Sequence, residues 1–207
     1  LGLGVFVVVS AYQVSNQEPL LRLQWVKGEA EAPPLYEKWN SFSRITVKGD
    51  STKPSYLHSW GLSPKYQGNR IGHQLVLTND AGGGTFLTAF DGEPSRLEHL
   101  QHDIASIAHY LRPDSHVLIV GAGGGRDVLA ALAFDQPAIT AVEINKSVID
   151  AVNGPFGDFT GHLDRQRGVR FVAADARSFA ARQQDSYGIL QFSFVDTYAG
   201  TAAGAFA

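Results

Sequence analysis

The stretch Val117-Leu118-Ile119-Val120-Gly121-Ala122-Gly123-Gly124-Gly125-Arg126-Asp127 constrains the fold more than any other part of the chain. An apolar, β-branched run breaks into a glycine turn and resumes as the start of a helix. Glycines at such a turn let the backbone approach a ligand closely at the carboxyl edge of a parallel sheet. The same order repeats downstream. Strands are expected over 117–120, 139–144, 169–174 and 188–195, with helices near 126–134, 146–153 and 178–184. Strands that alternate with helices need crossover connections, which implies a doubly wound, mostly parallel, Rossmann-like α/β sheet covered on both faces.

The region before this sheet has different punctuation. Leu97, Leu100, Ile104, Ile107 and Leu111 recur at spacings of three and four, so one apolar helix face is expected there. Ser95 with Glu98 has the spacing of a capping box, and Pro113 closes the helix. Residues 11–92 read as hairpins. Ser43–Val47 and Gln74–Thr78 alternate, and Asn79-Asp80-Ala81-Gly82-Gly83-Gly84 supplies a turn before Thr85–Phe90. Two regions follow: a β-rich region over 1–92 and an α/β domain over 93–207. Trp25, Trp39, Trp60, Tyr12, Tyr36, Tyr56 and Tyr66 are assigned to the core or interface of the β-rich region. The apolar run Leu1–Val9 suits a buried strand; the alternative is the stub of a longer membrane helix, since nine residues are too few to span a bilayer.

Composition closes several routes. The 207 residues include no cysteine, which excludes disulfides, zinc–cysteine sites, iron–sulfur clusters and thiol nucleophiles. A net charge of -3 provides no global field for nucleic acid. Arg165, Arg167, Arg170, Arg177 and Arg182 are read as surface charge, and His99 and His109 as solvated side chains rather than metal ligands.

Two acids give the glycine turn its meaning. Glu143 closes the second strand 22 residues after Gly121, where a carboxylate can accept hydrogen bonds from ribose hydroxyls. Asp175 closes the third strand, where a carboxylate can meet an adenine amino group. Both positions also suit helix N-caps. Gly121, Gly123 and Gly125 form G-x-G-x-G, the loop of class I S-adenosylmethionine folds; Arg126 stands where a dinucleotide fingerprint has glycine or alanine. A nicotinamide-dependent dehydrogenase is therefore disfavoured.

From about Asp91 onward, over about 115 of the 207 residues, the chain resembles the spermidine synthase family of aminopropyltransferases, its membrane-associated branch in particular. The resemblance rests on Phe90-Asp91-Gly92, His102-Asp103, VLIVGAGGGRDVLAAL, AVEIN, AADARSF and VDTYAGTAAGAF. It implies a class I methyltransferase-type fold. Gly121, Gly123 and Gly125 would wrap the methionine part of S-adenosylmethionine or its decarboxylated form, Glu143 would hold the ribose, and Asp175 with Ala176 the adenine. His102 and Asp103 would lie beside a small-molecule amine acceptor. Two positions depart from the family pattern. Gly124 stands where the family's loop carries aspartate, and Ser193 where it carries a base, which leaves Asp196 and Asp127 as the carboxylates for catalysis.

The resemblance implies aminopropyl transfer to a polyamine. Methyl transfer is the alternative, as is a non-catalytic nucleotide-sensing domain of a membrane protein. No nucleic-acid partner is expected; homodimerisation and membrane attachment of the full-length protein are. The implied location is the cytoplasm or the cytoplasmic face of a membrane. From leucine at position 1 and a sheet pattern ending at its fourth strand, the chain is expected to be a piece of a longer protein, truncated at the C-terminus within the α/β domain.

Overall fold

The apolar N-terminal run winds into helix α1 (Gly2–Asn16), not the expected strand. An unbroken apolar run carries no period that separates strand from helix, and this helix continues well past Val9. Leu3, Val5, Phe6, Val7 and Val8 are all exposed. No described helix is long and apolar enough to cross a membrane. A two-strand hairpin follows, β1 (Trp25–Val26) and β2 (Glu29–Ala30), turned by Lys27 and Gly28 at φ 51° and 86°. Positive φ at both turn residues matches the right-handed twist of a tight hairpin. The computed structural model describes residues 2–16, 23–80 and 82–195, and residues 1–33 and 34–207 form two compact units.

The second unit opens with β3 (Tyr36–Trp39), β4 (Arg44–Lys48), a small ribbon of β5 (Ser55–Tyr56) with β6 (Ile71–Gly72), then β7 (Gln74–Asn79) and β8 (Gly83–Thr88). The four longer strands form an antiparallel sheet in the order β3-β4-β7-β8. The alternation expected over 43–47 does not sort into an inner and an outer face. Every residue from Ser43 to Val47 is buried, in a strand that lies between β3 and β7. Its polar members are partnered: Thr46 and Thr78 share a 2.7 Å hydroxyl contact, and Arg44 Nε donates to Glu37 at 2.7 Å. Tyr66 is buried in keeping with a core role, whereas Trp25, Trp39 and Tyr56 are exposed.

The helix expected from residue 94 is broken. A 3₁₀ turn leads into α2 (Glu98–Gln101); a second 3₁₀ turn at Ile104–Ser106 leads into α3 (Ile107–Leu111). Asp103 makes the break. Its backbone is extended, and its side chain caps the second turn by accepting the Ala105 N–H at 2.9 Å. No capping box forms, because Ser95 lies inside the first turn and Glu98 instead accepts a 3.2 Å hydrogen bond from Tyr66. The break also splits the apolar stripe. Leu97 and Leu100 are buried, but Ile104, Ile107 and Leu111 are exposed. His99 and His109, expected in solvent, are buried instead, with His109 stacked 5.1 Å from Phe134.

The alternating units come next: β9 (His116–Val120), α4 (Arg126–Ala133), β10 (Ala138–Glu143), α5 (Lys146–Asn153), α6 (Gly157–Thr160), β11 (Val169–Ala173), α7 (Ala176–Arg182) and β12 (Ile189–Phe192). All strand pairs are parallel and the order is β11-β10-β9-β12. β12 ends at Phe192, short of the expected 195. One hydrophobic core joins the two large sheets, running from Ile45, Leu75 and Leu87 to Val117, Ile119 and Leu129. A smaller cluster of Leu118, Val120, Val142 and Phe179 covers the other face of the parallel sheet. Arg165, Arg167, Arg170, Arg177 and Arg182 lie exposed, as expected.

Candidate functional site

Strand order places the site. The chain moves outward from β9 to β10 to β11, then returns to β12 on the other side of β9. At that reversal the connections leave their strands in opposite directions, opening a crevice beyond the carboxyl ends of β9 and β12. Gly121–Gly125 follows β9 and forms one wall. Gln191 and Ser193, at the end of β12, form the other.

Gly121, Gly123 and Gly125 have φ of 76°, 51° and 89°. Gly125 is the left-handed N-cap residue of α4, which a side chain would strain. The loop glycines are also needed for packing within the protein. A Cβ at Gly124 would lie 2.2 Å from the Phe86 carbonyl oxygen, and one at Gly125 would lie 2.2 Å from Leu163 Cδ1. The first neighbour is backbone and cannot swing aside. Position 124 therefore has no room for an aspartate.

Glu143 does not cap a helix. Its two carboxylate oxygens accept the Gly123 N–H at 3.1 Å and the Asn145 N–H at 2.9 Å. A carboxylate has about four acceptor positions, so each oxygen keeps capacity for a ribose hydroxyl. Asn145 is the N-cap of α5 in its place, accepting the Ser147 N–H at 3.1 Å. It is further held by Asn40 at 2.7 Å and Ser43 at 3.0 Å. Asp175 does cap α7: it accepts the Ser178 N–H at 2.8 Å. Hydrogen bonds from Ser178, then Arg177 and Arg182 nearby, hold its carboxyl below the usual carboxylate range. Asp175 and Ala176 are half-buried.

His102 and Asp103 part company. His102 is exposed and leans on the Tyr66 ring at 4.8 Å, while Asp103 is 3 % exposed. Asp103 Oδ2 takes the Arg126 guanidinium at 2.6 Å and the Trp60 N–H at 2.9 Å. Arg126 also lies 5.9 Å from the centre of the Trp60 ring, and among the described residues its Nε has no partner. Asp127, one residue on, is buried and 3.5 Å from Arg126 Nη1. Burial pushes the Asp127 carboxyl up, opposed by hydrogen bonding from Ser193 and by the charge of Arg126. His58 packs against Phe86 at 4.2 Å and Trp60 at 4.8 Å; burial and then Arg126 keep it below its ordinary value. Asp196 lies outside the described residues.

Beside these groups is a cleft of about 540 Å³ lined by Trp60, Ile104, Ala108, Gln191, Ser193 and Phe194, among others, with no charged side chain among its described lining. Gln191 Oε1 is buried there without a described partner. No cluster of three or more His, Asp or Glu side chains suited to a metal occurs among the described residues.

Sequence reasoning did not find the Arg126–Asp103 pair or the Asn145 network, whose members are far apart in the chain and share no local pattern. Arg126 carried one usable signal, as a cation where a glycine loop commonly continues with a small residue.

Glycine loop, strand order and the acid ending the second strand together define a Rossmann-like α/β fold of the methyltransferase type. Comparison with solved structures places it beside the spermidine synthases. A spermidine synthase in complex with the transition-state analogue AdoDATO superposes with TM-score 0.53 at 18% identity, covering 84% of this chain and 50% of that one. Spermidine synthase from Thermotoga maritima gives TM-score 0.49 at 18% identity, over 76% of this chain and 46% of that one. The chain thus spans about half the length of these structures. No protein-family model and no curated protein matches it.

Proposed function

We propose that this chain is a spermidine-synthase-like transferase domain that binds S-adenosylmethionine or its decarboxylated form and transfers an aminopropyl group to a polyamine. The observation that carries the proposal is the bond from Gly123 N–H to Glu143. It holds the turn and the ribose-binding carboxylate in one rigid unit at the switch point of the sheet. A bound sulfonium nucleoside supplies an electrophilic carbon, so the protein has to position it, align a nucleophile and accept a proton. Glu143 would hold the ribose and Asp175 with Ala176 the adenine. Asp127, whose carboxyl burial pushes up, neighbours Ser193 on the crevice wall and in its ionised form would accept the proton, with Asp196 as the other candidate base.

Methyl transfer from S-adenosylmethionine is the second reading. It is favoured by the blocked position at Gly124, the commitment of Asp103 to Arg126 and the uncharged cleft, all of which reduce the attraction for a polycation. The exposed apolar side chains of α1 support attachment to a membrane, and we propose the cytoplasmic face as its side. We further propose a homodimer, tested by sedimentation at micromolar concentration.

The test is calorimetric titration with S-adenosylmethionine, the decarboxylated form and NAD, then an assay for spermidine from putrescine. Binding of a sulfonium nucleoside with spermidine formation supports the first reading; binding with methyl transfer alone supports the second. Binding of both nucleosides with no transfer would leave a nucleotide-sensing domain. Tight NAD binding without sulfonium binding would overturn all three.

A further inference from the structure

The glycine loop is fastened from two sides, and only one fastening comes from the parallel sheet. Gly123 N–H is taken by Glu143 at the end of β10. The next amide, Gly124 N–H, is taken by Thr85 Oγ1 at 3.1 Å, from strand β8 of the antiparallel sheet, 39 residues earlier in the chain. Gly124 is buried, so without Thr85 its N–H would be left without water or a partner, at a cost comparable to a lost hydrogen bond. Thr85 also lies beneath the preceding residue, where a Cβ at Gly123 would come within 3.2 Å of its hydroxyl. The Phe86 carbonyl closes the floor under Gly124. Two consecutive loop amides are thus aimed by two side chains from two different sheets.

We propose that Thr85 is a positioning residue of the nucleoside site, and that β8 forms the floor of the cofactor loop as well as the edge of the antiparallel sheet. The assignment rests on the proposed binding of a sulfonium nucleoside. Thr85 acts through the loop: its hydroxyl sets the plane of the Gly123–Gly124 peptide, and with it the path of the backbone that wraps the ligand. An isosteric valine keeps the shape and removes the acceptor, while serine keeps the acceptor.

Thr88 provides a matched control. It lies on the same strand, and its hydroxyl accepts a hydrogen bond from Gln74 Nε2 at 2.9 Å, away from the loop. The experiment measures affinity for S-adenosylmethionine and its decarboxylated form in the wild type and in Thr85→Val, Thr85→Ser and Thr88→Val. Amide exchange at Gly124 is measured in the unliganded proteins. One hydrogen bond to the loop corresponds to about a fivefold to tenfold loss of affinity in Thr85→Val. Serine should restore affinity to within about twofold of the wild type, and Thr88→Val should bind as the wild type does. Gly124 exchange should quicken in Thr85→Val alone.

Unchanged affinity in Thr85→Val overturns the assignment, and so does an equal loss in Thr88→Val, which would mark the effect as general destabilisation. A wild type that binds neither nucleoside overturns the proposed function and this assignment with it. A wild type that binds, with Thr85→Val indistinguishable from it, overturns the assignment alone.

Discussion

The two walls of the crevice, one at the ends of β9 and β10 and the other at the end of β12, are finished differently. On the wall formed by the ends of β9 and β10, loop amides, Glu143, Asn145 and the start of α5 are joined by hydrogen bonds of 2.9–3.1 Å. On the wall formed by β12, Gln191 Oε1 is buried without a described partner, and Leu190, Phe192 and Phe194 are exposed. The first wall is preorganised, so ordering it costs little when a ligand binds. The second holds an unpartnered polar atom and apolar surface, as a wall that still has contacts to make would. On the proposed function, the first wall would hold the nucleoside and the second would face the acceptor.

Breaking the buried ion pair between Arg126, at the start of α4, and Asp103 should have the largest effect. Asp103→Ala removes the 2.6 Å partner of buried Arg126 and leaves it only the 3.5 Å contact with Asp127, which costs about 3 kcal/mol, measurable by denaturant unfolding. Asp103→Asn keeps the shape and should cost less. Gly124→Ala comes next, at about 1–3 kcal/mol, because the backbone of β8 cannot retreat from a Cβ. An equal cost for Gly125→Ala is not expected, since Leu163 is a side chain that can shift, although the φ of 89° still penalises alanine. Glu143→Gln sharpens the comparison from the holding side. It should weaken nucleoside binding about tenfold, and it also loosens the loop, since glutamine can accept only one of the Gly123 and Asn145 N–H groups.

The pH response is a smaller effect. His58, His99 and His109 are held below the ordinary value of 6.5, in each case chiefly by burial. They are neutral in the fold, whereas the unfolded chain takes up protons near 6.5. Stability is therefore complete above that value and is lost as pH falls through it. Melting midpoints at pH 7.5 and 5.5 should differ by a few degrees, and replacing His109 by asparagine should narrow the gap. The smallest effect is expected at the exposed rim. Leu190→Ser should change stability by no more than about 0.5 kcal/mol, since its side chain is 60% exposed.

What could be read in the sequence follows the same division. The strands and helices after Pro113 were legible because short β-branched runs, glycine turns and helical periods follow one another without ambiguity. Gly121–Gly125 and Glu143 were legible for the same reason, as each sits at a strand end. Leu1–Val9 was not, because an unbroken apolar run has no period. The break at Asp103 was hidden by a stripe that continues smoothly through it, although the capping aspartate that causes it is visible in hindsight. The Arg126–Asp103 pair and the Thr85–Gly124 bond join residues 23 and 39 positions apart, and no local pattern marks such partners.

The central claim is that a sulfonium nucleoside is held on the wall formed by β9 and β10. Hydrogen–deuterium exchange of the whole chain, with and without saturating S-adenosylmethionine or its decarboxylated form, tests it most directly. The account predicts new protection at Gly121–Gly125 and Glu143–Asn145. Protection confined to β12 and the cleft beside Trp60, or none with either nucleoside, would contradict it.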